Sequence, residues 1–176
     1  MNWVCPSALR RFTARHQPTV TPTTVIKAGI GGAVAIGSAA LLTYLTGNPW
    51  LMAPFGATCV LLFSVPASPL SQPANVIGGH VVSTAIGLLV HTLMPVEWWS
   101  LGLSVGLAIA AMAALRLTHP PAGADPLVVL FESPDWLVLI FPVALGSALL
   151  IAIAWVVHRI PPRTTYPSVP VSLDRK

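Results

Sequence analysis

Three stretches without a formal charge, 28–45, 76–94 and 136–157, constrain this chain more than any other feature. Each approaches or exceeds the ~20 residues that an α-helix needs to cross ~30 Å of hydrocarbon. Only 8% of the residues are charged, against roughly 25% in a soluble domain, so a water-facing surface would go uncovered. A lipid bilayer is therefore the expected solvent and first partner. In lipid each backbone polar group needs an internal partner, which helices supply within one segment. The fold class that follows is all-α, a polytopic transmembrane helical bundle.

A fourth apolar run, 101–117, and two shorter ones, 50–65 and 122–131, complete the pattern of four long helices plus two short or broken segments. The short ones share a signature. Pro54-Phe55-Gly56-Ala57 leads into Val60-Leu61-Leu62-Phe63 and Pro66, and Pro121-Ala122-Gly123-Ala124 leads into Val128-Val129-Leu130-Phe131 and Pro134. An internal two-fold repeat is expected, with repeat 1 at about 24–95 and repeat 2 at about 101–158. Short, Pro/Gly-interrupted segments at matching places in two halves are pointers to a transporter's binding site.

Charge sets the expected topology. Arg10, Arg11, Arg15 and Lys27 precede the bundle, and Arg159, Arg163, Arg175 and Lys176 follow it. By the positive-inside tendency both tails, 1–23 and 159–176, are expected in the cytoplasm around a domain at 24–158. Six crossings, two of them short, also place Arg116 inside; four crossings with re-entrant short pieces do not. A bacterial inner membrane is the expected location. The Arg-bearing, acid-free arm reads more weakly as an organelle presequence. The basic residues form no patch, so no nucleic-acid partner is expected. Cys5 and Cys59 have no reason to pair, and no metal-ligand spacing occurs.

Small residues recur at spacing four in all four long helices: Gly29, Ala33, Gly37; Gly79, Ser83, Gly87; Gly106, Ala110, Ala114; Ala144, Ala148, Ala152. Such stripes let helix backbones approach in lipid and are read as packing faces. Trp50, Trp98, Trp99 and Trp136 fall at the ends of apolar runs, where indole rings favour the bilayer interface.

Ionisable groups inside apolar runs are functional candidates because burying them is costly. His80, beside the Gly79 stripe, is expected to face protein and bond a neighbouring helix, with pore lining as the rival role; His91 is expected at the interface. Pro120 and Pro121 are expected to end the preceding helix after His119. A new short helix would then begin with free N–H groups at Gly123 and Ala124, and the first break, after Pro54, would offer the same at Gly56 and Ala57. Unpaired amides and the helix dipole favour an anion there. Arg116 would add charge or snorkel to the interface. Asp125 would cap the donors or itself titrate in a proton or cation site. Asn75 is read as a cap on the following helix, with vestibule lining second.

Four ordered motifs, Ala53-Pro54-Phe55-Gly56-Ala57, Ser68-Pro69-Leu70-Ser71-Gln72-Pro73, Asn75-Val76-Ile77-Gly78-Gly79-His80 and His119-Pro120-Pro121-Ala122-Gly123-Ala124, resemble the HPP family of integral membrane proteins over about 25–157. The resemblance implies four transmembrane helices and, for some plastid and cyanobacterial members, an association with nitrite transport. Many members resembling this chain carry a basic residue after the Gln-Pro pair, where Ala74 stands here.

The expected function is a transporter or channel for a small inorganic anion resembling nitrite. The alternatives are a proton- or cation-coupled carrier using Asp125 and His80, and a non-transporting membrane scaffold. No Ser/His/Asp spacing or nucleotide-binding glycine loop is legible, so no enzyme, cofactor or metal is expected. A bundle this small leaves a homo-oligomer open as a way to enclose a pathway.

Overall fold

The structure, a computed structural model, describes residues 6–132 and 136–168, with side chains from Arg10 to Glu132 and from Ile140 to Ser168. Cys5, Pro134, Asp135, Arg175 and Lys176 and the Trp136 indole lie outside the described side chains. The described residues form helices α1 (Pro6–Thr13), α2 (Pro22–Thr46), α3 (Pro54–Ser64), α4 (Pro73–Leu93), α5 (Trp98–Ala114), α6 (Asp125–Glu132) and α7 (Trp136–Arg159). Two 3-10 turns, Pro69–Ser71 and Pro120–Ala124, introduce α4 and α6.

Local chemistry sets the ends. Thr21 caps α2 by accepting from the Thr24 amide at 3.4 Å, and Gly47 closes it at φ 70° with its N–H on the Thr43 carbonyl. Ser100 accepts the Glu97 N–H at 2.9 Å to start α5. The end of α5 differs from expectation. Pro120 and Pro121 do not stop it; Arg116 does, two residues after the last helical residue, Ala114, at φ 61°. The Arg116 N–H bonds the Ala113 carbonyl and the Leu117 N–H bonds that of Met112, the paired closure in which the residue after the cap is left-handed. Arg116 is exposed, pointing away from the bundle interior.

Among the described residues, three helices have the length and apolarity to cross a membrane: Pro22–Thr46, Pro73–Leu93 and Ile140–Arg159. α5, at 17 residues, reaches about 26 Å at 1.5 Å per residue, the lower limit for a span. α3 and α6, with 11 and 8 residues, cover only about half the hydrocarbon thickness.

α4 and α7 pack on each other; α5 lies against α4, and α2 against α7. α3 sits against α2 and α7, and α6 against α4 and α5. The core between them is built from Phe55, Leu62, Val76, Leu88, Val129 and Leu150. Of the four small-residue stripes, only Gly79, Ser83 and Gly87 on α4 is buried throughout. Gly29, Ala33 and Gly37 are exposed, as are Gly106, Ala110, Ala114 and Ala152; Ala144 and Ala148 are half-buried. The inward stripes are instead Gly31, Ala35 and Ala39 on α2, and Ser104, Ala108 and Met112 on α5. α7 turns Val143, Ser147, Leu150 and Ala154 inward. Alanine and glycine are so dense in these helices that spacing alone does not choose a face.

Gly79 and Gly87 on α4 are required by close approach. A methyl added to Gly79 would stand 2.7 Å from His119 Cβ, and one on Gly87 would stand 2.8 Å from Pro126 Cα. Bare backbone on α4 thus admits the 117–126 segment, bringing His119 and Asp125 against His80.

Candidate functional site

Four polar side chains from four segments meet in the interior, all fully shielded: Thr58 from α3, His80 from α4, His119 from the loop before the second 3-10 turn, and Asp125 from the start of α6. Asp125 Oδ2 lies 2.8 Å from His80 Nδ1. His80 Nε2 lies 2.8 Å from Thr58 Oγ1, which in turn lies 3.0 Å from His119 Nε2. His119 Nδ1 ends the chain 2.8 Å from the Leu70 carbonyl. Phe55 and His119 each present a ring to His80 at 5.0 Å, edge to face.

The direction of each bond follows from chemistry. A carbonyl only accepts, so His119 Nδ1 carries a hydrogen and, in the neutral ring, Nε2 offers a lone pair. Thr58 has one hydrogen, and the His119 lone pair at 3.0 Å is a nearer acceptor for it than the Pro54 carbonyl at 3.3 Å; with the hydrogen on that side, His80 Nε2 donates to Thr58. The contact between His80 Nδ1 and Asp125 Oδ2 then holds one proton, as imidazolium with carboxylate or as imidazole with carboxylic acid. Both forms are neutral overall, and the proton's position along 2.8 Å is what separates them. Thr84 Oγ1 stands at 3.5 Å from the same Oδ2. Asp125 Oδ1 is buried without a partner among the described residues, an unusual condition for a buried oxygen.

Thr58, His80 and Asp125 also follow one another as hydroxyl, imidazole and carboxylate, an arrangement that sequence spacing did not reveal. On the His80 side its polarity differs from that of a nucleophile and its base. His80 directs a hydrogen at Thr58, not a lone pair, and His119 takes the hydroxyl's proton. Donors and acceptors in this order can pass a proton along the row.

His80 thus bonds neighbouring segments as expected. Asp125 does not cap α6 with its described contacts; its bonded oxygen is committed to His80 and Thr84. Asn75 is not the cap of α4, whose first turn follows Gln72; its Nδ2 donates to the Thr118 carbonyl at 3.0 Å and ties α4 to the His119 loop. Ser83 does the same further along, donating to the Ala122 carbonyl. His91 sits half-buried in the last turn of α4.

A groove of about 850 Å³ runs between α3 and the 120–132 segment. Pro54 and Ala57 line one wall, and Pro120, Pro121 and Ala124 the other. The two broken-helix starts therefore converge, but their glycines do not. Gly56 faces a separate space of about 720 Å³ beside α2, and Gly123 belongs to the 3-10 turn, since α6 starts only at Asp125. Of the donors expected to be free, the Gly56 N–H bonds the Ala53 carbonyl; beside the expected donors, the Phe55 N–H bonds the Met52 carbonyl and the Ala122 N–H that of His119. Backbone curls into tight turns ahead of both helices, and those turns satisfy their own amides.

Thr58 escaped sequence reasoning. Its only signal was a hydroxyl inside an apolar run, four residues after Pro54. The Leu70 carbonyl left no sequence signal. Among the described residues no group of three or more His, Cys, Asp and Glu is placed to hold a metal.

A family model described as HPP, transmembrane region, matches residues 17–167. A transmembrane protein of Dictyostelium discoideum is 34% identical over 127 residues, covering 67% of this chain and 40% of that protein. A second transmembrane protein of the same organism is 34% identical over 126 residues, covering 66% of this chain and 44% of its own length. The chain thus spans less than half the length of these curated relatives. No solved structure matches it.

Proposed function

From the premise that this chain belongs to the HPP transmembrane family and is an integral membrane protein, we propose that it is a carrier whose small solute moves together with a proton held by Asp125 and His80. One observation carries this reading: a buried chain of hydrogen bonds, Asp125 to His80 to Thr58 to His119, tying four segments together at 2.8 to 3.0 Å. Buried ionisable groups in membrane proteins are costly and mark proton or ion pathways. The titratable groups in the chain are Asp125, His80 and His119; the hydroxyls of Thr58 and Thr84 are its neutral members. Adding a second proton at the Asp125 and His80 contact would convert a neutral pair into a cation.

The relay and the groove share a wall. Ala57, Pro120 and Ala124 line the groove, and their chain neighbours Thr58, His119 and Asp125 form the relay. A protonation change behind this wall would be felt electrostatically by an occupant in front of it. This favours a small monovalent anion resembling nitrite, in agreement with the family resemblance, as the proton's companion. The groove's own lining is apolar apart from Glu132, so the attraction would come from the protonated relay and not from free helix amides.

The packing also supports two repeats. Exchanging α2, α3 and α4 for α5, α6 and α7 turns the contact of α2 with α7 into that of α5 with α4, and the contact of α3 with α7 into that of α6 with α4; both exist. In this reading α3 and α6 are the half-helices of an inverted pair, both tails lie in the cytoplasm of a bacterial cell, and two copies assemble where exposed stripes need cover.

Uptake of nitrite, nitrate and formate into proteoliposomes, with and without an inward-acid gradient, tests this proposal. Acceleration of at least one probe by the gradient, reduced in Ala124→Leu, is expected. Indifference of all three to the gradient defeats the coupling.

A further inference from the structure

The segment after α7 turns back across the bundle. Lys27 Nζ donates to the Ile160 carbonyl at 2.9 Å and to that of Pro162 at 2.6 Å, pinning the start of the segment to α2. The Thr164 N–H bonds the His158 carbonyl. His158 Nε2 donates to the Leu62 carbonyl at 2.8 Å, and its ring lies between Phe63 at 6.0 Å and Tyr166 at 5.5 Å. Tyr166, only 7% exposed, then donates its hydroxyl to the Ser71 carbonyl at 3.0 Å. The Ser168 N–H follows, on Gln72 Oε1 at 2.9 Å.

Ser71 ends the first 3-10 turn, Pro69–Ser71. The preceding carbonyl in that turn, Leu70, is the acceptor that fixes His119 Nδ1. Adjacent carbonyls of one short turn are therefore held from two sides, one by the strap and one by the relay. The turn has other anchors: Ser71 Oγ donates to the Leu61 and Val65 carbonyls, and Gln72 Nε2 to those of Pro66 and Ser68. These hold it to the end of α3. The Tyr166 bond attaches it to the segment that follows α7. Burial raises the Tyr166 phenol above its ordinary value, which keeps it a hydrogen donor.

We infer that Tyr166 is a positioning residue for the relay: by gripping the Ser71 carbonyl it holds the Leu70 carbonyl in place, and Leu70 in turn fixes the ring orientation and tautomer of His119. While that grip lasts, the relay has one polarity, because His119 Nδ1 has nowhere else to send its hydrogen. Release of the strap lets the turn shift, frees His119 to rotate, and opens the far end of the relay to a second proton acceptor. The strap thereby regulates the transport site proposed above and rests on that reading for its role, while its structural claim stands separately.

Ring-15N histidine NMR on the full chain in nanodiscs tests this inference, with the His119 signals assigned through His119→Asn. In the wild type, His119 is expected as a single Nδ1–H tautomer with slow water exchange. Tyr166→Phe keeps the packed ring and removes the hydroxyl, and exchange at His119 Nδ1–H should rise roughly tenfold, the scale of one lost neutral hydrogen bond. Ser168→Pro, which removes the adjoining donor, should act in the same direction, and the exposed Arg163→Gln should leave the rate unchanged. Unaltered His119 exchange in both Tyr166→Phe and Ser168→Pro overturns the inference. If exchange responds but probe anions move without protons, the transport reading fails and the positioning role survives.

Discussion

His80 Nδ1 and Asp125 Oδ2 stand 2.8 Å apart, joined across 45 residues of sequence, and neither side chain has any exposure. Such a pair is held by its surroundings as much as by itself. α4 contributes the imidazole, the first turn of α6 the carboxylate, and Gly87 the bare backbone against which Pro126 rests.

Breaking this pair one side at a time should cost more than removing it whole. Asp125→Leu and His80→Leu each leave a buried partner unmatched, so each should lose ~3–5 kcal/mol. The double variant should lose much less than the sum. Thermal midpoints in one detergent, analysed as a double-mutant cycle, check this, and additive losses would contradict the coupling.

Thr58→Val keeps the shape of the side chain and removes the atom that joins two histidines. Both Nε2 atoms would lose their partner, at ~1–3 kcal/mol for each buried group left unsatisfied. Thr84→Val, whose hydroxyl reaches Asp125 only at 3.5 Å, should change stability by less than ~1 kcal/mol. Equal effects of the two substitutions on the melting temperature would contradict the order of bonds described.

Glycines separate into two groups under alanine substitution. Gly79→Ala and Gly87→Ala force backbone or ring atoms apart and should cost ~1–3 kcal/mol. Gly29→Ala and Gly106→Ala meet nothing within 4 Å and should be neutral or gain ~0.4–1 kcal/mol. Denaturation in mild detergent would show whether the outward stripes matter to the monomer.

Arg116 ends α5 in the left-handed region that glycine occupies freely. Arg116→Gly should therefore raise stability by ~1 kcal/mol, whereas Arg116→Val should lower it. A loss in the glycine variant would mean that the guanidinium, and not the backbone, is what matters there.

The sequence carried the bilayer solvent, the helices and the presence of ionisable groups at His80, His119 and Asp125 within apolar surroundings, because these are local features. It did not carry which stripe of α2 or α5 turns inward, since Gly29 and Gly31 begin equally small faces. Nor did it carry the partners of His119. Thr58 is 61 residues away, and the Leu70 acceptor is a backbone atom with no side-chain signature. The free amides expected at Gly56 were lost to a tight turn through Ala53, a detail of backbone curvature that Pro-x-Gly-Ala does not specify.

Proton counting during solute entry tests the central claim most directly. Proteoliposomes loaded with a pH-sensitive dye are pulsed with nitrite, and protein-free vesicles give the background from nitrous acid. Wild-type protein should acidify the lumen in step with nitrite uptake, and Asp125→Asn, which keeps a hydrogen-bonding amide beside His80 but cannot bind and release a proton, should break that link. Equal proton movement per nitrite in the two proteins would contradict the account.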